Sequence, residues 1–391
     1  MLLHFFKQNF INPLLELLYD SKAIGILLLG CTLISLVISN IENTDWYTFI
    51  WHLEFPVLTK YKLPHNMHLW INDGLMTLFF FLAGMEIKRE IKIGELSSVK
   101  KSILPISAAL GGMIVPALLF HLLNRGSLFS SGWGIPMATD IAFSLGIASL
   151  LGKRVPVSAK VFLTALAIID DLGAILVIAF FYGREMELTY LLCSLGIVFI
   201  IFMLNKIIPF GWIQCLLGLA LWFCMYNSGI HATLAGILLA CLVPTKQLSR
   251  YEQKMHSIVH FFILPLFALA NTAIVFPQQG FQTLNSRLSW GIIIGLFIGK
   301  PAGIILTCWC LVKMKWAMLP YKVNWSILTG IGILAGIGFT MSIFISTLAF
   351  SNNTVQNAAK MAVLIASFLS MVIGYAWIVM TNKKALKSGI V

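Results

Sequence analysis

Long apolar runs, each closed by a short polar stretch, recur along the whole chain. A transmembrane helix takes about 20 apolar residues, and about twelve runs approach that length with polar residues at their ends. They fall at 21–39, 68–85, 102–123, 133–151, 157–182, 188–204, 210–226, 228–243, 256–276, 289–312, 326–350 and 357–380. The seventh and eighth are short and close together. They read either as a hairpin of two tilted helices or as one broken element. Strands of an outer-membrane barrel alternate apolar and polar residues over about 10 residues, a pattern that does not organise this chain. The expected fold is an all-α membrane protein with little outside the bilayer.

Composition narrows the class. Of 391 residues, 59% are hydrophobic and 11% charged, whereas soluble domains carry roughly 25% charged residues. A soluble enzyme, a secreted disulfide scaffold and a disordered protein are excluded. The seven cysteines lie in apolar stretches with no CxxC among them, which suits packing. Residues 1–20 mix apolar positions with Lys7, Gln8, Asn9, Asn12 and Glu16, so no cleavable signal peptide is expected.

The formal net charge of +12 is explained by orientation rather than by nucleic acid. Cytoplasmic loops collect Lys and Arg. Placing both termini in the cytoplasm puts 20 of the 27 basic residues inside. Lys60, Lys62, Arg125, Arg184, Arg287 and Lys360 fall outside, and Lys300 lies within a span. Residues 1–391 then form a single polytopic domain. Its longest outer loop, 41–67, carries Trp46, Trp51, Pro56 and Pro64; it reads as an irregular interfacial loop, a small hairpin or a partner surface.

Segments three to five and ten to twelve look like an inverted repeat. The fourth contains Gly132-Trp-Gly134-Ile-Pro136 before Thr139, Asp140 and Phe143; the eleventh contains Gly336-Ile-Gly338-Phe-Thr340 before Phe344. Both set helix-weakening residues just ahead of a Thr, and the orientation makes the two segments antiparallel. Pro136 has no N–H to bond the carbonyl four residues back. Free backbone groups at membrane depth survive only inside protein or beside a water-filled cavity. Interrupted spans at matching places in two halves point to a transporter site.

Asp140, Asp170, Asp171 and Lys300 lie near the middle of spans. A charge at the bilayer centre costs at least about 2.5–3.5 kcal/mol, so four at one depth form a functional cluster. Asp170 and Asp171 are adjacent on a helix and project about 100° apart, so one is free to meet Lys300 while the other faces a cavity. Sodium prefers oxygen ligands, which carboxylates, the Thr139 hydroxyl and backbone carbonyls supply. A site that holds either the metal ion or protons exchanges them once it opens alternately to each side. Two antiparallel broken helices that cross would bring like ends together. Asp140 would then neutralise the positive ends and Lys300 the negative ones.

At these residues the chain resembles the NhaA family of bacterial sodium/proton antiporters. The matching stretches are Leu69-Trp-Ile-Asn-Asp73, Gly84-Met-Glu86-Ile-Lys88-Arg89-Glu90, Gly111-Gly-Met-Ile-Val-Pro116, and Ala138-Thr139-Asp140-Ile-Ala-Phe143. They continue with Ala165-Leu-Ala-Ile-Ile-Asp170-Asp171-Leu-Gly-Ala174, Ser228-Gly-Ile-His231, Ile263-Leu-Pro265-Leu-Phe-Ala-Leu-Ala-Asn271, Gly299-Lys300-Pro301 and Gly336-Ile-Gly338-Phe-Thr340. The loops 41–67, 183–188 and 277–288 match poorly.

The resemblance implies twelve helices, the fourth and eleventh broken and crossed. It implies Asp170 and Asp171 as the ion- and proton-binding pair, with Lys300 as charge partner and Asp140 and Thr139 at the crossing. It implies pH-activated exchange of cytoplasmic Na⁺, and of Li⁺, for external H⁺ across the inner membrane, with no cofactor. Glu86, Glu252 and His256 sit at the cytoplasmic mouth as candidate pH sensors. His231, near the outer end of segment eight, reads as a sensor or as a hydrogen-bonded structural residue. Membrane lipid surrounds the chain, and a homodimer is left open.

Three other readings are weaker. The paired Asp170 and Asp171 argue against a symporter of organic anions. The buried Lys300 and the lack of a repeated filter motif disfavour a channel. A membrane enzyme lacks a His-rich metal cluster, a G-x-S-x-G or a Gly-rich phosphate loop.

Overall fold

Backbone N–H and C=O groups in hydrocarbon must bond within their own segment, so long apolar runs fold as helix unless they close a barrel. The computed structural model describes residues 21–42, 44–183, 186–276 and 285–387, the side chains of 21, 99, 100 and 382–387 excepted. The expectation of an uncleaved residue 1–20 segment, and the two chain ends themselves, lie outside the described residues, as does Arg184.

The helices are α1 (Ser21–Ile38), α2 (Met76–Lys92), α3 (Val99–Leu123), α4 (Ile141–Leu150), α5 (Val157–Phe181), α6 (Leu188–Ile207), α7 (Trp212–Asn227) and α8 (Leu234–Leu242). They continue with α9 (Thr245–Ile258), α10 (Leu264–Asn271), α11 (Arg287–Ile294), α12 (Lys300–Lys313), α13 (Trp325–Ala335), α14 (Phe339–Ala349) and α15 (Asn353–Lys387). Among the described residues, seven helices are long and apolar enough to cross a membrane. The number is eight if α13 and α14, bent by 42° at their break, count as one span. Shorter apolar helices such as α7 account for part of the difference from twelve.

Three joints are π-turns, which periodicity does not reveal. Trp70–Leu75 leads into α2, Val259–Ile263 joins α9 to α10, and Gly295–Gly299 joins α11 to α12. The last two precede Pro265 and Pro301. A proline removes one N–H and crowds the carbonyl four residues back, and a wide turn relieves both effects. The ninth span also starts earlier than its apolar run. Leu248 is buried while Lys246, Arg250 and Lys254, spaced four apart, are exposed, so one polar stripe and one packed face make Thr245–Ile258 helical.

The seventh and eighth runs are two separate helices, turned at Gly229 with φ +84°. In the outer loop, short helices Asp45–Trp51 and Pro56–Thr59 stand where a hairpin was considered. Among the described residues, the bridge there is a single antiparallel one between Glu54 and Asn66.

α3 and α12 touch backbone to backbone. A Cβ on Gly303 would lie 2.1 Å from the Gly111 carbonyl oxygen, so only glycine permits this approach. At the periphery, α6 exposes Leu188, Leu192, Leu195, Phe199 and Phe202, as a lipid-facing helix must. At the centre runs α5, which buries Leu166, Ala167, Asp170, Asp171 and Ala174.

Candidate functional site

Two interruptions of the helical backbone meet beside α5. In the first, the 3-10 turn Ser130–Met137 gives way to extended backbone at Ala138, and Asp140 starts α4 as its N-cap. In the second, α13 ends at Ala335 and α14 begins at Phe339. The backbones are tied across the gap. The Asp140 N–H donates to the Ile337 carbonyl at 2.7 Å, and the Ser342 hydroxyl to the Ile135 carbonyl at 2.7 Å.

Helix starts leave N–H groups without intrahelical partners, and a carboxylate there also meets the positive end of the helix dipole. Asp140 serves two starts at once. Its Oδ1 accepts from the Phe143 N–H at 3.0 Å, inside α4. Its Oδ2 accepts from the Thr340 N–H at 3.0 Å, inside α14, and from the Thr340 hydroxyl. Thr340 was part of a quoted motif yet not a candidate, because a hydroxyl in an apolar run carries no sign of a partner 200 residues away.

The opposite polarity is met by Lys300, fully buried on α12. Its Nζ donates to the Met137 carbonyl, the last of the 3-10 turn, and lies 2.8 Å from Asp170 Oδ2. The Thr139 hydroxyl lies 2.7 Å from the same Oδ2 and 2.9 Å from the Ala335 carbonyl at the end of α13. Its single hydrogen is shared between them. Thr139, Asp140, Asp170 and Lys300 are therefore linked through the two breaks. Asp171, one residue on, points elsewhere.

Asp170 Oδ2 carries every bond to that carboxylate. Asp170 Oδ1 and Asp171 Oδ1 are buried with no hydrogen-bond partner. A buried carboxylate oxygen without a donor is costly, and a proton or a hard cation removes that cost.

A second group lies around Arg89 near the end of α2. Arg89 pairs with Glu252 of α9 at 3.2 Å and with Glu90 at 3.3 Å, while Glu86 precedes it by one turn. The His256 and His260 rings are 4.3 Å apart. Lys88, which the sequence gave no role, donates to the Cys241 and Val243 carbonyls at 2.7 and 2.5 Å, capping the end of α8. His231 belongs to neither group. It precedes α8 at the end opposite to Lys88, with Nε2 2.5 Å from the Tyr182 carbonyl. The Tyr182 hydroxyl in turn donates to the Ser131 carbonyl at 2.7 Å and accepts from the Gly134 N–H at 3.2 Å.

The family model described as Na+/H+ antiporter 1 matches residues 16–378. A Na(+)/H(+) antiporter NhaA of Flavobacterium psychrophilum is 47% identical over 367 residues, 92% of this chain and 94% of the relative. A Na(+)/H(+) antiporter NhaA 1 of Clostridium beijerinckii is 44% identical over 382 residues, 95% and 96% of the two chains. A Na(+)/H(+) antiporter NhaA of Dechloromonas aromatica is 47% identical over 370 residues, 92% and 93% of the two.

Proposed function

The chain belongs to the NhaA family of Na⁺/H⁺ antiporters, and from that premise we propose that its buried carboxylates, Asp170 and Asp171, bind the exchanged ions. It is a multi-pass bacterial membrane transporter with Na⁺ and H⁺ as its transported ions. The observation that carries the site assignment is the pair of unpartnered oxygens, Asp170 Oδ1 and Asp171 Oδ1, beside the Lys300–Asp170 contact at 2.8 Å. Sodium or protons satisfy those oxygens in turn, and Lys300 balances the charge of Asp170 when the metal ion is gone. Asp140 and Thr139 hold the two breaks in register, so the site stays polar without loose backbone at membrane depth.

In this reading the chain has twelve spans, both termini lie in the cytoplasm, and the fourth and eleventh spans are crossed broken helices of an inverted repeat. The membrane is the inner membrane, Li⁺ is also carried, and no cofactor takes part. Exchange rises with pH through Glu86, Glu252 and His256 at the cytoplasmic mouth. His231 is tied to Tyr182 at the other end of α8 and serves as structure. Two protons enter for each sodium that leaves.

The test uses inside-out vesicles loaded with a pH-gradient dye. Sodium, then lithium, should dissipate the gradient, and more strongly at alkaline pH. A dye signal indifferent to both ions would overturn the site assignment and the exchange with it.

A further inference from the structure

Two apolar stripes at helical spacing face one gap. Leu29, Leu33 and Leu36 of α1 form one, and Leu364, Phe368 and Met371 of α15 the other. Both line a cavity of about 580 Å³. We propose that this cavity binds one acyl chain of a membrane phospholipid, whose end packs behind the two helix starts that Asp140 caps. The proposal goes beyond the exchange reading and rests only on the chain's place in a membrane.

The gap follows from what each helix packs on. A Cβ on Gly25 of α1 would lie 3.3 Å from the Gly146 Cα of α4. Further along α1, the Ser35 hydroxyl donates to the Leu269 carbonyl of α10 at 2.7 Å. α15 packs instead on α11, α13 and α14. The two helices answer to different partners, and the space between their stripes stays open. At its mouth Leu33 and Phe368 are 54% and 60% exposed. At its back Phe143, Ile337 and Phe339 are buried. The Phe143 and Phe339 rings meet edge to face at 4.7 Å. Each ring stands on a helix start. The Phe143 N–H bonds Asp140 Oδ1 in α4. Phe339 opens α14, one residue before Thr340, whose N–H bonds Asp140 Oδ2.

The chemistry of the wall selects the occupant. No charged side chain lines the cavity. Of its two hydroxyls, Thr32 donates to the Leu28 carbonyl of its own helix at 2.7 Å, and Ser367 accepts from the Phe339 N–H at 3.1 Å. A buried water needs about two to four polar partners, and this wall offers too few. An ion or a lipid headgroup would need more. Left empty, the lining loses its dispersion partners on one side. Hydrocarbon is what a membrane protein meets at exposed Leu33 and Phe368. A lipid tail enters sideways and demands no hydrogen bond. Its gain is packing against the wall rather than escape from water, as for any apolar contact made within a bilayer. The tail stands in for a core side chain behind Phe143 and Phe339.

The test uses the full chain in proteoliposomes of phosphatidylcholine, part of it carrying a photoactivatable diazirine midway along one acyl chain. After illumination, labelled residues are mapped by mass spectrometry and counted relative to Leu192, which faces lipid on α6. Label should appear on Phe143, Ile337 or Phe339 as well as on Leu33 and Phe368. Leu33→Trp and Leu364→Trp each put an indole into the gap. Each should cut the back-wall label about fivefold or more, the least that steric crowding costs. Label confined to the rim in the parent, or absent from rim and back alike because another part of the chain or a second copy covers the cavity, overturns the tail site. So does back-wall label that persists in both variants. None of these results bears on exchange, which the vesicle assay above decides separately.

Discussion

Two lysines are buried among the described residues, and they are held in different ways. Lys300 meets a carboxylate and a backbone carbonyl at the end of a 3-10 turn. Lys360 meets one amide oxygen, and no salt bridge to it occurs among the described residues. A buried charge costs several kcal/mol unless paired. The first lysine is thus part of a charge-balanced unit whose partner must stay. The second has an amide oxygen at 3.3 Å and no carboxylate beside it among the described residues. The difference separates a charge paired with a carboxylate from one held by an amide oxygen.

The sharpest break of the comparison removes the balance itself. Asp171→Asn should abolish sodium-driven dequenching in inside-out vesicles, and Asp170→Asn should do so nearly as fully. Each amide keeps the size and loses the charge. Wild-type exchange by either variant would sink the assignment of ion binding to this pair.

Next in size is stability. Lys300→Met leaves Asp170 buried against the Thr139 hydroxyl alone, a loss of about 3–5 kcal/mol in soluble proteins. Lys360→Met removes a charge with no carboxylate partner among the described residues, and Asn271 Oδ1 keeps His68 Nε2 at 3.2 Å. Its thermal midpoint in detergent should match or exceed the parent's, since apolar replacement of a buried charge is often neutral or stabilising. Equal losses in the two variants would erase the distinction.

How far the sequence reached follows the same line. Asp140, Asp170, Asp171 and Lys300 stand out as charges inside apolar runs, and the Gly- and Pro-rich stretches mark where helix weakens. Lys360 did not stand out, because it lies near the start of its run, where a lysine normally snorkels to the interface. His68 and Asn72 mark the start of another run and read as its polar boundary. Pairing across about 200 residues, as between Asp140 and Thr340, leaves no local trace. Nor do the π-turns, which shift the helical phase without changing composition.

Voltage gives the next effect. If two protons enter for each sodium that leaves, one net positive charge enters per cycle. An inside-negative potential then drives sodium out, by about 2.3 kcal/mol per charge per 100 mV. Proteoliposomes with a valinomycin potassium diffusion potential should show faster exchange and a displaced endpoint. Indifference to the potential would mean one proton per sodium, and Asp170 would then be a fixed partner of Lys300 rather than a carrier.

The smallest effect comes from turning the second lysine into the first kind. Asn271→Asp sets a carboxylate where Lys360 already lies at 3.3 Å. The new ion pair gains Coulomb energy, but two donations are lost, to Asn72 Oδ1 and to the Phe267 carbonyl. The terms oppose each other, so the midpoint should move by no more than about 1 kcal/mol of stability. Combined with Lys360→Met, the same aspartate has no cation beside it. The double variant should then fall by about 3–5 kcal/mol, far beyond the sum of two nearly silent changes. Thermal unfolding of the four proteins gives this coupling directly. Additive midpoints would mean that the Lys360 ammonium is already balanced by another route, and the contrast between the two lysines would not hold.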